Sequence, residues 1–271
     1  RLSIPYGLES TAIEYLIILF FSLLFIDNLT FFHIPGMTNN INKISAYGDS
    51  ILKGAVTGTE SGHLFDIIEN SSLVLAARTL GFELNNQSVF GSVVAKTQRR
   101  LNKDLEKGVA GDLAIIESGG NDCDYDWTAV SAAPEAEHLP RTTLPDFIAK
   151  IDEMVKACRN AKVTPLIMTM PPLVGDWWFE HICNGQNKDA ILKVCKNNPY
   201  RPYQNHELYN MHLYNYALQN NVQIVDMRKA MLESDNYREL MCKDGIHPNE
   251  EGYKYMAKIW EKELPSIHKE F

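Results

Sequence analysis

Short apolar segments alternate with segments of helical periodicity from residue 43 to the end of the chain. The apolar segments have the length and the flanking turn residues of buried strands. The predicted strands are residues 44–47, 82–90, 112–117, 163–170 and 222–225. Between them, apolar residues recur every three or four positions, which predicts helices. The predicted helices are residues 73–80, 93–105, 144–161 and 203–219, and a final helix that begins after Asn249.

This alternation predicts an α/β protein whose parallel sheet is covered by helices on both faces. The longest segment without a regular pattern is 174–202, which is rich in Trp, Asn and Lys and follows the fourth predicted strand. A long insertion at the carboxyl end of a strand is usually functional. We therefore predict that residues 174–202 cover the substrate.

Residues 1–42 differ from the rest of the chain and are interpreted as an N-terminal extension of a domain that spans 43–271. Residues 12–26 are almost wholly apolar, but a helical membrane span needs about 20 such residues. The segment also does not match the basic start and small-residue cleavage site of a signal peptide. It is interpreted as an anchor, an extra packed helix or sequence that is not native. Membrane contact is expected only if it is a native anchor.

Charge and cysteine content narrow the classes of function. The formal net charge of −8 argues against nucleic acid or an anionic membrane surface as a partner. The five cysteines are odd in number and widely spaced, which favours a reducing compartment over a disulfide framework. A cytoplasmic protein is therefore predicted, with membrane anchoring or export through the apolar segment as the alternative. His181, Cys183 and Cys195 match no zinc spacing, so no metal or other cofactor is expected.

Two polar stretches follow predicted strands directly. Gly48-Asp49-Ser50 follows the first strand, and Gly119-Gly120-Asn121-Asp122 follows the third. In open α/β sheets, ligands bind at the carboxyl ends of the strands. Ser50 is therefore a candidate nucleophile, and the Asn121 amide is a candidate donor to a developing oxyanion. Both stretches are also compatible with ordinary turns.

The third stretch, Asp244-Gly245-Ile246-His247-Pro248, lies just before the final helix. A spacing of three residues in a turn lets the Asp244 carboxylate reach the imidazole of His247, fix its tautomer and leave Nε2 free as a base. The alternative is a capping Asp and an exposed His. Gly91, after the second strand, can offer a backbone N–H to the same oxyanion.

Taken together, these stretches resemble the four sequence blocks of the SGNH (GDSL-type) hydrolase family. The matching residues are Ser50, Gly91, Asn121 and His247, and the resemblance spans residue 43 to the C-terminus. Ile51 replaces the Leu of the family name. Residues 1–42 lie outside the resemblance.

The resemblance implies a flavodoxin-like three-layer α/β/α sandwich with five parallel strands and ester hydrolysis without a metal. It implies a triad of Ser50, His247 and Asp244, an acyl-enzyme, and an oxyanion hole formed by the Ser50 and Gly91 N–H groups and Asn121. The expected substrate is a small-molecule ester with a short acyl or acetyl group. Acyl transfer to another alcohol, or a non-catalytic ligand-binding module on this fold, are the alternatives.

Other residues near these blocks have two interpretations each. Asp122, Asp124 and Asp126 have the spacing of half a calcium loop, but the glycine and the closing glutamate are missing, which favours hydrogen bonds that brace the Asn121 loop. Trp177 and Trp178 either line a pocket or anchor the insertion in the core. Asp49, Trp177 and Trp178 are the candidate substrate-binding residues.

Overall fold

The computed structural model describes residues 41–58 and 63–271. The predicted extension over 1–42 thus lies almost wholly outside the described residues. Among the described helices, none is both long and apolar enough to cross a membrane.

The described strands form one five-stranded sheet and one short hairpin. In chain order they are β1 (Lys43–Tyr47), β2 (Ala55–Val56), β3 (Asp66–Ile67), β4 (Glu83–Asn86), β5 (Leu113–Ile116), β6 (Thr164–Met168) and β7 (Gln223–Val225). The main sheet has the order β4-β1-β5-β6-β7, and all of its pairs are parallel. β2 and β3 pair antiparallel. The predicted five-stranded parallel sheet is therefore confirmed.

Helices lie on both faces of this sheet. In chain order the α-helices of the described residues are α1 (Ser50–Lys53), α2 (Ser72–Leu80), α3 (Val94–Glu106), α4 (Trp127–Ala132), α5 (Leu144–Asn160), α6 (Gly175–Cys183), α7 (Lys188–Val194), α8 (Arg201–Gln219), α9 (Met227–Leu232) and α10 (Glu250–Glu263). Short 3₁₀ turns occupy Tyr237–Leu240 and Leu264–Ser266.

Two hydrophobic cores lie between the sheet and the helices, one on each face of the sheet. One core joins the sheet to α2, α9 and α10 through side chains such as Leu73, Met231 and Trp260. The other joins the opposite face to α3, α5 and α8 through side chains such as Leu101 and Phe147. Because β1, β5 and β6 are buried on both faces, most of their side chains are apolar, as expected of central parallel strands.

A third, smaller hydrophobic cluster lies apart from these cores. It joins α4, α6 and α7, and we call these three helices the cap. Its buried members are Trp127, Val130, Phe179, Ile182, Cys183, Ile191 and Cys195. The structure corrects the prediction that 174–202 is irregular, because much of it forms α6 and α7. These helices are short and bury their apolar side chains against each other, so their periodicity is weak in the sequence.

The second strand is also shorter than predicted. It covers Glu83–Asn86 rather than residues 82–90. The Asn86 side chain accepts the Ser88 N–H at 3.0 Å and donates to the Leu52 carbonyl at 2.8 Å. Beyond Asn86 the backbone still donates hydrogen bonds toward β1, from Gln87 to the Ala46 carbonyl and from Val89 to the Gly48 carbonyl, before the turn at Gly91.

Candidate active site

Ser50 lies immediately beyond the carboxyl end of β1, as the first residue of α1. The Asp49 carboxylate caps this helix by accepting the Ile51 N–H at 2.9 Å. Gly48 is required because a Cβ there would lie 2.5 Å from Oε2 of Glu117. The sharp turn holds Ser50 in a buried position, with 6% of its surface exposed.

The structure brings together the three residues predicted to form a triad. Oγ of Ser50 lies 2.9 Å from Nε2 of His247, and Nδ1 of His247 lies 2.6 Å from Oδ2 of Asp244. Ser50 is 197 residues away from His247 in the chain. The end of β1 and the loop before α10 meet at the carboxyl ends of the strands. Their side chains therefore form a continuous series of hydrogen bonds from Ser50 through His247 to Asp244.

The loop that carries Asp244 and His247 is fixed by its own backbone. Oδ1 of Asp244 accepts the N–H groups of Ile246 and His247 at 2.9 and 3.1 Å. Gly245 adopts a φ of 77° and packs too close to Trp178 for a side chain. One oxygen of the Asp244 carboxylate thus holds the loop by hydrogen bonds to its backbone, and the other oxygen is bonded to the His247 imidazole.

The environment keeps Asp244 ionised. Burial alone would raise the pKa of this carboxyl, but the hydrogen bond and charge of His247 and two backbone N–H groups bring the pKa below its ordinary value. The carboxylate can therefore stabilise a proton on the imidazole at neutral pH.

Gly91 and Asn121 lie around the same cavity as Ser50. Gly91 has a φ of 68° in the turn after β4. Nδ2 of Asn121 donates to Oδ2 of Asp49 at 2.8 Å, which fixes the orientation of the amide. The Asn amide has two N–H donors, so one remains for a ligand.

The cavity has a volume of about 280 Å³ and lies over the Ser50–His247 pair. Its apolar lining includes Leu64, Phe65, Phe90, Tyr125, Trp127 and Trp178. Such a mostly apolar cavity with a few polar groups is typical of a small-molecule site.

An aromatic stack supports the imidazole. The Phe90 ring lies parallel to the His247 ring with centroids 5.7 Å apart, and Phe65 stacks on Phe90 at 3.7 Å. Sequence reasoning missed Phe65 and Phe90, because neither belongs to a recognisable motif and only the fold brings them to the site.

The candidate substrate-binding residues occupy different places. Trp178 and Asp49 line the cavity, although Asp49 uses its oxygens for Ile51 and Asn121. Trp177 lines a neighbouring cavity of about 630 Å³, where Lys243 lies 4.2 Å from its ring centroid. Substrate contact by these residues stays a prediction.

Three polar residues of the site were missed by sequence reasoning. Glu117 is buried directly after β5, and its position just before the Ser118-Gly119-Gly120 turn was the available signal. Arg141 and His206 also line the cavity. They lie in segments without a motif, so nothing in the sequence distinguishes them.

The aspartates of the half calcium loop have protein partners. Asp122 accepts the Val94 N–H with both oxygens, Asp124 accepts the Trp127 indole N–H, and Asp126 caps α4. Burial raises the pKa of Asp122 and of Asp124 to about 6. These hydrogen bonds brace the loop that carries Asn121.

The residues considered for zinc lie at the cap. Cys183 and Cys195 are buried in its hydrophobic cluster, whereas His181 is exposed and lines the triad cavity. Among the described residues, no three His, Cys, Asp or Glu side chains are grouped as metal ligands would be. All five cysteines are free thiols.

Ser50, His247 and Asp244 lie together at the carboxyl edge of the five-stranded parallel sheet, an arrangement that a serine hydrolase would require. The sequence matches the model of the GDSL-like lipase/acylhydrolase family over residues 46–255. The chain therefore belongs to this family, as the sequence blocks predicted, and it is an ester-hydrolysing enzyme by class. A comparison with curated protein sequences gives no significant match.

Solved structures of GDSL-type hydrolases share the fold. A lipase/acylhydrolase from Enterococcus faecalis is 18% identical, with a TM-score of 0.60, over 83% of this chain and 96% of that one. An acetylxylan esterase from Geobacillus stearothermophilus, a catalytic mutant, is 16% identical, with a TM-score of 0.56, over 84% and 96%. The esterase EstA from Pseudoalteromonas sp. is 16% identical, with a TM-score of 0.52, over 83% and 97%.

Proposed function

We propose that the protein is a serine esterase that hydrolyses small carboxylic esters through an acyl-enzyme. The observation that carries this proposal is the unbroken chain from Ser50 Oγ through His247 to Asp244, with distances of 2.9 and 2.6 Å. A protein that only binds a ligand does not need this chain. Turnover of a chromogenic acetate ester by the purified protein tests the proposal.

In the acylation step, Ser50 Oγ attacks the ester carbonyl and transfers its proton to Nε2 of His247. Asp244 holds the imidazolium through Nδ1. The oxyanion accepts hydrogen bonds from the backbone N–H groups of Ser50 and Gly91 and from the Asn121 amide. His247 then gives the proton to the leaving alcohol, and the acyl group stays on Ser50.

In the deacylation step, His247 takes a proton from water and the resulting hydroxide attacks the acyl carbon. The tetrahedral intermediate collapses, Ser50 leaves as the alcohol and regains its proton from His247, and the carboxylic acid is released. An acceptor alcohol in place of water would give acyl transfer with the same residues, which the ratio of ester to acid products would reveal.

We infer that the acyl group is short. A cavity of about 280 Å³ is slightly smaller than the roughly 300–1,000 Å³ that is usual for small-molecule sites. The segment 174–202 contributes Trp178, His181 and Pro202 to the walls, which supports its assignment as a substrate cover.

The size of the cavity predicts the chain-length preference. In a panel of esters that share one alcohol, kcat/KM should be highest for acetyl to butyryl groups and fall about 10-fold or more for octanoyl, because the extra methylenes find no room. A steady rise of kcat/KM with chain length would contradict the proposed substrate class.

Removal of the amide donor should slow the reaction without weakening substrate binding. We expect N121A to lower kcat by about 10²–10³-fold with little change in KM, because the donor acts on charge that develops in the transition state. Steady-state kinetics measure both constants. N236A is the matched control, since the Asn236 side chain donates to Glu239 at the exposed surface. A change confined to KM would argue against an oxyanion donor.

A further inference from the structure

Two acidic side chains are buried against each other beneath the candidate oxyanion donor. Glu117 is 1% exposed and Asp49 is 2% exposed. Oε2 of Glu117 accepts the Asp49 backbone N–H at 2.9 Å, which places the two buried acidic residues side by side. Two buried negative charges so near each other are unfavourable, which favours a proton on one of the two groups.

The hydrogen bonds indicate that the proton resides on Glu117. Asp49 accepts an N–H from Ile51 on one oxygen and the Asn121 amide on the other, and both bonds stabilise its ionised form. Glu117 accepts a single backbone N–H. Burial and the charge of Asp49 raise the pKa of Glu117 well above its ordinary value.

The Asp49 carboxylate in turn fixes the Asn121 amide. Its Oδ2 accepts one N–H of Nδ2 at 2.8 Å, so the amide cannot rotate and the second N–H keeps one direction. An amide that was free to flip would present its carbonyl oxygen to the oxyanion for part of the time. The position of Asp49 therefore decides how well Asn121 is oriented.

We propose that Glu117 is a positioning residue that stays protonated and, by donating its hydrogen bond to Asp49, holds the Asn121 amide toward the reacting carbonyl. This inference rests on the proposed esterase function. Glu117 does not touch the oxyanion and acts only through Asp49.

The other charged groups around the pair favour the same protonation. Asp122 and ionised Asp49 are negative, which opposes a further negative charge on Glu117. Arg100 and His247 interact with Asp49, the partner that carries the charge. The phenol of Tyr253 stays neutral, because burial raises its pKa well above the ordinary value.

Two substitutions separate positioning from simple packing. Glu117→Gln keeps an acceptor for the Asp49 N–H and a donor for the Asp49 carboxylate, whereas Glu117→Met keeps only the approximate volume. We expect E117M to lower kcat by about 10- to 100-fold with KM little changed, through misorientation of one donor. E117Q should restore most of the lost kcat. M154A, at a fully buried position of α5, is the control for a general loss of stability.

The pH dependence provides a readout that a structural role would not change. The raised pKa of Glu117 means that the neutral form persists above the ordinary pKa of a carboxyl group and is lost as pH rises through the raised value. In the wild type, kcat should therefore fall at alkaline pH as Glu117 ionises and repels Asp49. E117Q cannot ionise and should not show this decrease.

Two spectroscopic measurements keep this inference distinct from the proposed function. The infrared carbonyl band of a protonated carboxyl should persist at a pH above the pKa of about 6 of Asp122 and Asp124, and E117Q should abolish it. The side-chain amide signals of Asn121 in NMR should move in E117M and return in E117Q.

The results of these experiments distinguish a failure of the esterase proposal from a failure of the proposed role of Glu117. A wild type with the band and the Asn121 shifts but no ester hydrolysis would overturn the esterase function and leave the positioning role of Glu117 supported. Three results would each overturn the role of Glu117 alone. They are a kcat in E117M equal to that of the wild type, a decrease of kcat at alkaline pH that E117Q retains, and the absence of the infrared band of a protonated carboxyl.

Discussion

Ser50→Ala should lower kcat for a chromogenic acetate ester by about 10⁴–10⁶-fold, because no acyl-enzyme can form without the hydroxyl. The lost oxygen lies 2.9 Å from Nε2 of His247, so the imidazole loses the group that it would deprotonate. Stopped or end-point absorbance assays over long incubation can measure the residual rate.

The fold of this variant should be unchanged. Ser50 is small and lies at the rim of the cavity, so circular dichroism and the thermal midpoint should match those of the wild type. A fluorophosphonate probe should label the wild type and fail to label S50A. Ser234→Ala is the matched control, since that hydroxyl only donates to the Met231 carbonyl. Undiminished turnover in S50A would remove Ser50 from the proposed mechanism.

Asp244→Asn should lower kcat by about 10⁴-fold with little change in the fold. An asparagine amide can donate to Nδ1 of His247, which favours the tautomer that carries its proton on Nε2. That nitrogen then cannot accept the proton of Ser50. The retained Oδ1 can still accept the N–H groups of Ile246 and His247, so the loop should stay in place.

The pH profile and a surface variant check this interpretation. Because the pKa of Asp244 is lowered in the folded protein, its stabilising contribution is complete above the ordinary carboxyl pKa and is lost as pH falls through the lowered value. The decrease in kcat for D244N should therefore persist across neutral and mildly alkaline pH. Asp152→Asn, at an exposed ion pair with Lys156, should behave as the wild type. A D244N variant with wild-type kcat would exclude Asp244 as the partner of His247.

The central strands could be predicted from the sequence because the signal, a short run of mostly apolar residues, lies within each strand itself. β1, β5 and β6 are buried on both faces, so each is a short and mostly apolar segment that the sequence alone can indicate. Ser50 and Asn121 come soon after the carboxyl ends of β1 and β5. The parallel topology alone therefore predicted that both residues lie on the same side of the sheet. The close approach of His247 to Ser50 was instead implied by the resemblance to the SGNH family, because His247 lies just before α10 and does not directly follow a strand.

The missed features depend on contacts between distant segments. The proximity of Glu117 to Asp49 requires the pairing of β1 with β5, and two acidic residues in separate motifs gave no reason to expect that they are neighbours. Phe65 and Phe90 meet only because the β2–β3 hairpin lies beside the turn after β4. The helices α6 and α7 escaped detection because their apolar side chains pack against α4, which lies about 50 residues earlier in the chain.

The separate packing of the cap has a consequence for how such an enzyme diversifies. Its buried side chains form a cluster of their own, and only Trp177 of α6 also packs against one of the two main cores among the described residues of the three helices. Replacements in the cluster of α4, α6 and α7 can therefore change the cap residues that line the cavity. The two main cores, and the folding free energy that they contribute, stay largely the same. Selection for a new ester can then act on one small group of positions without the usual cost to the whole molecule.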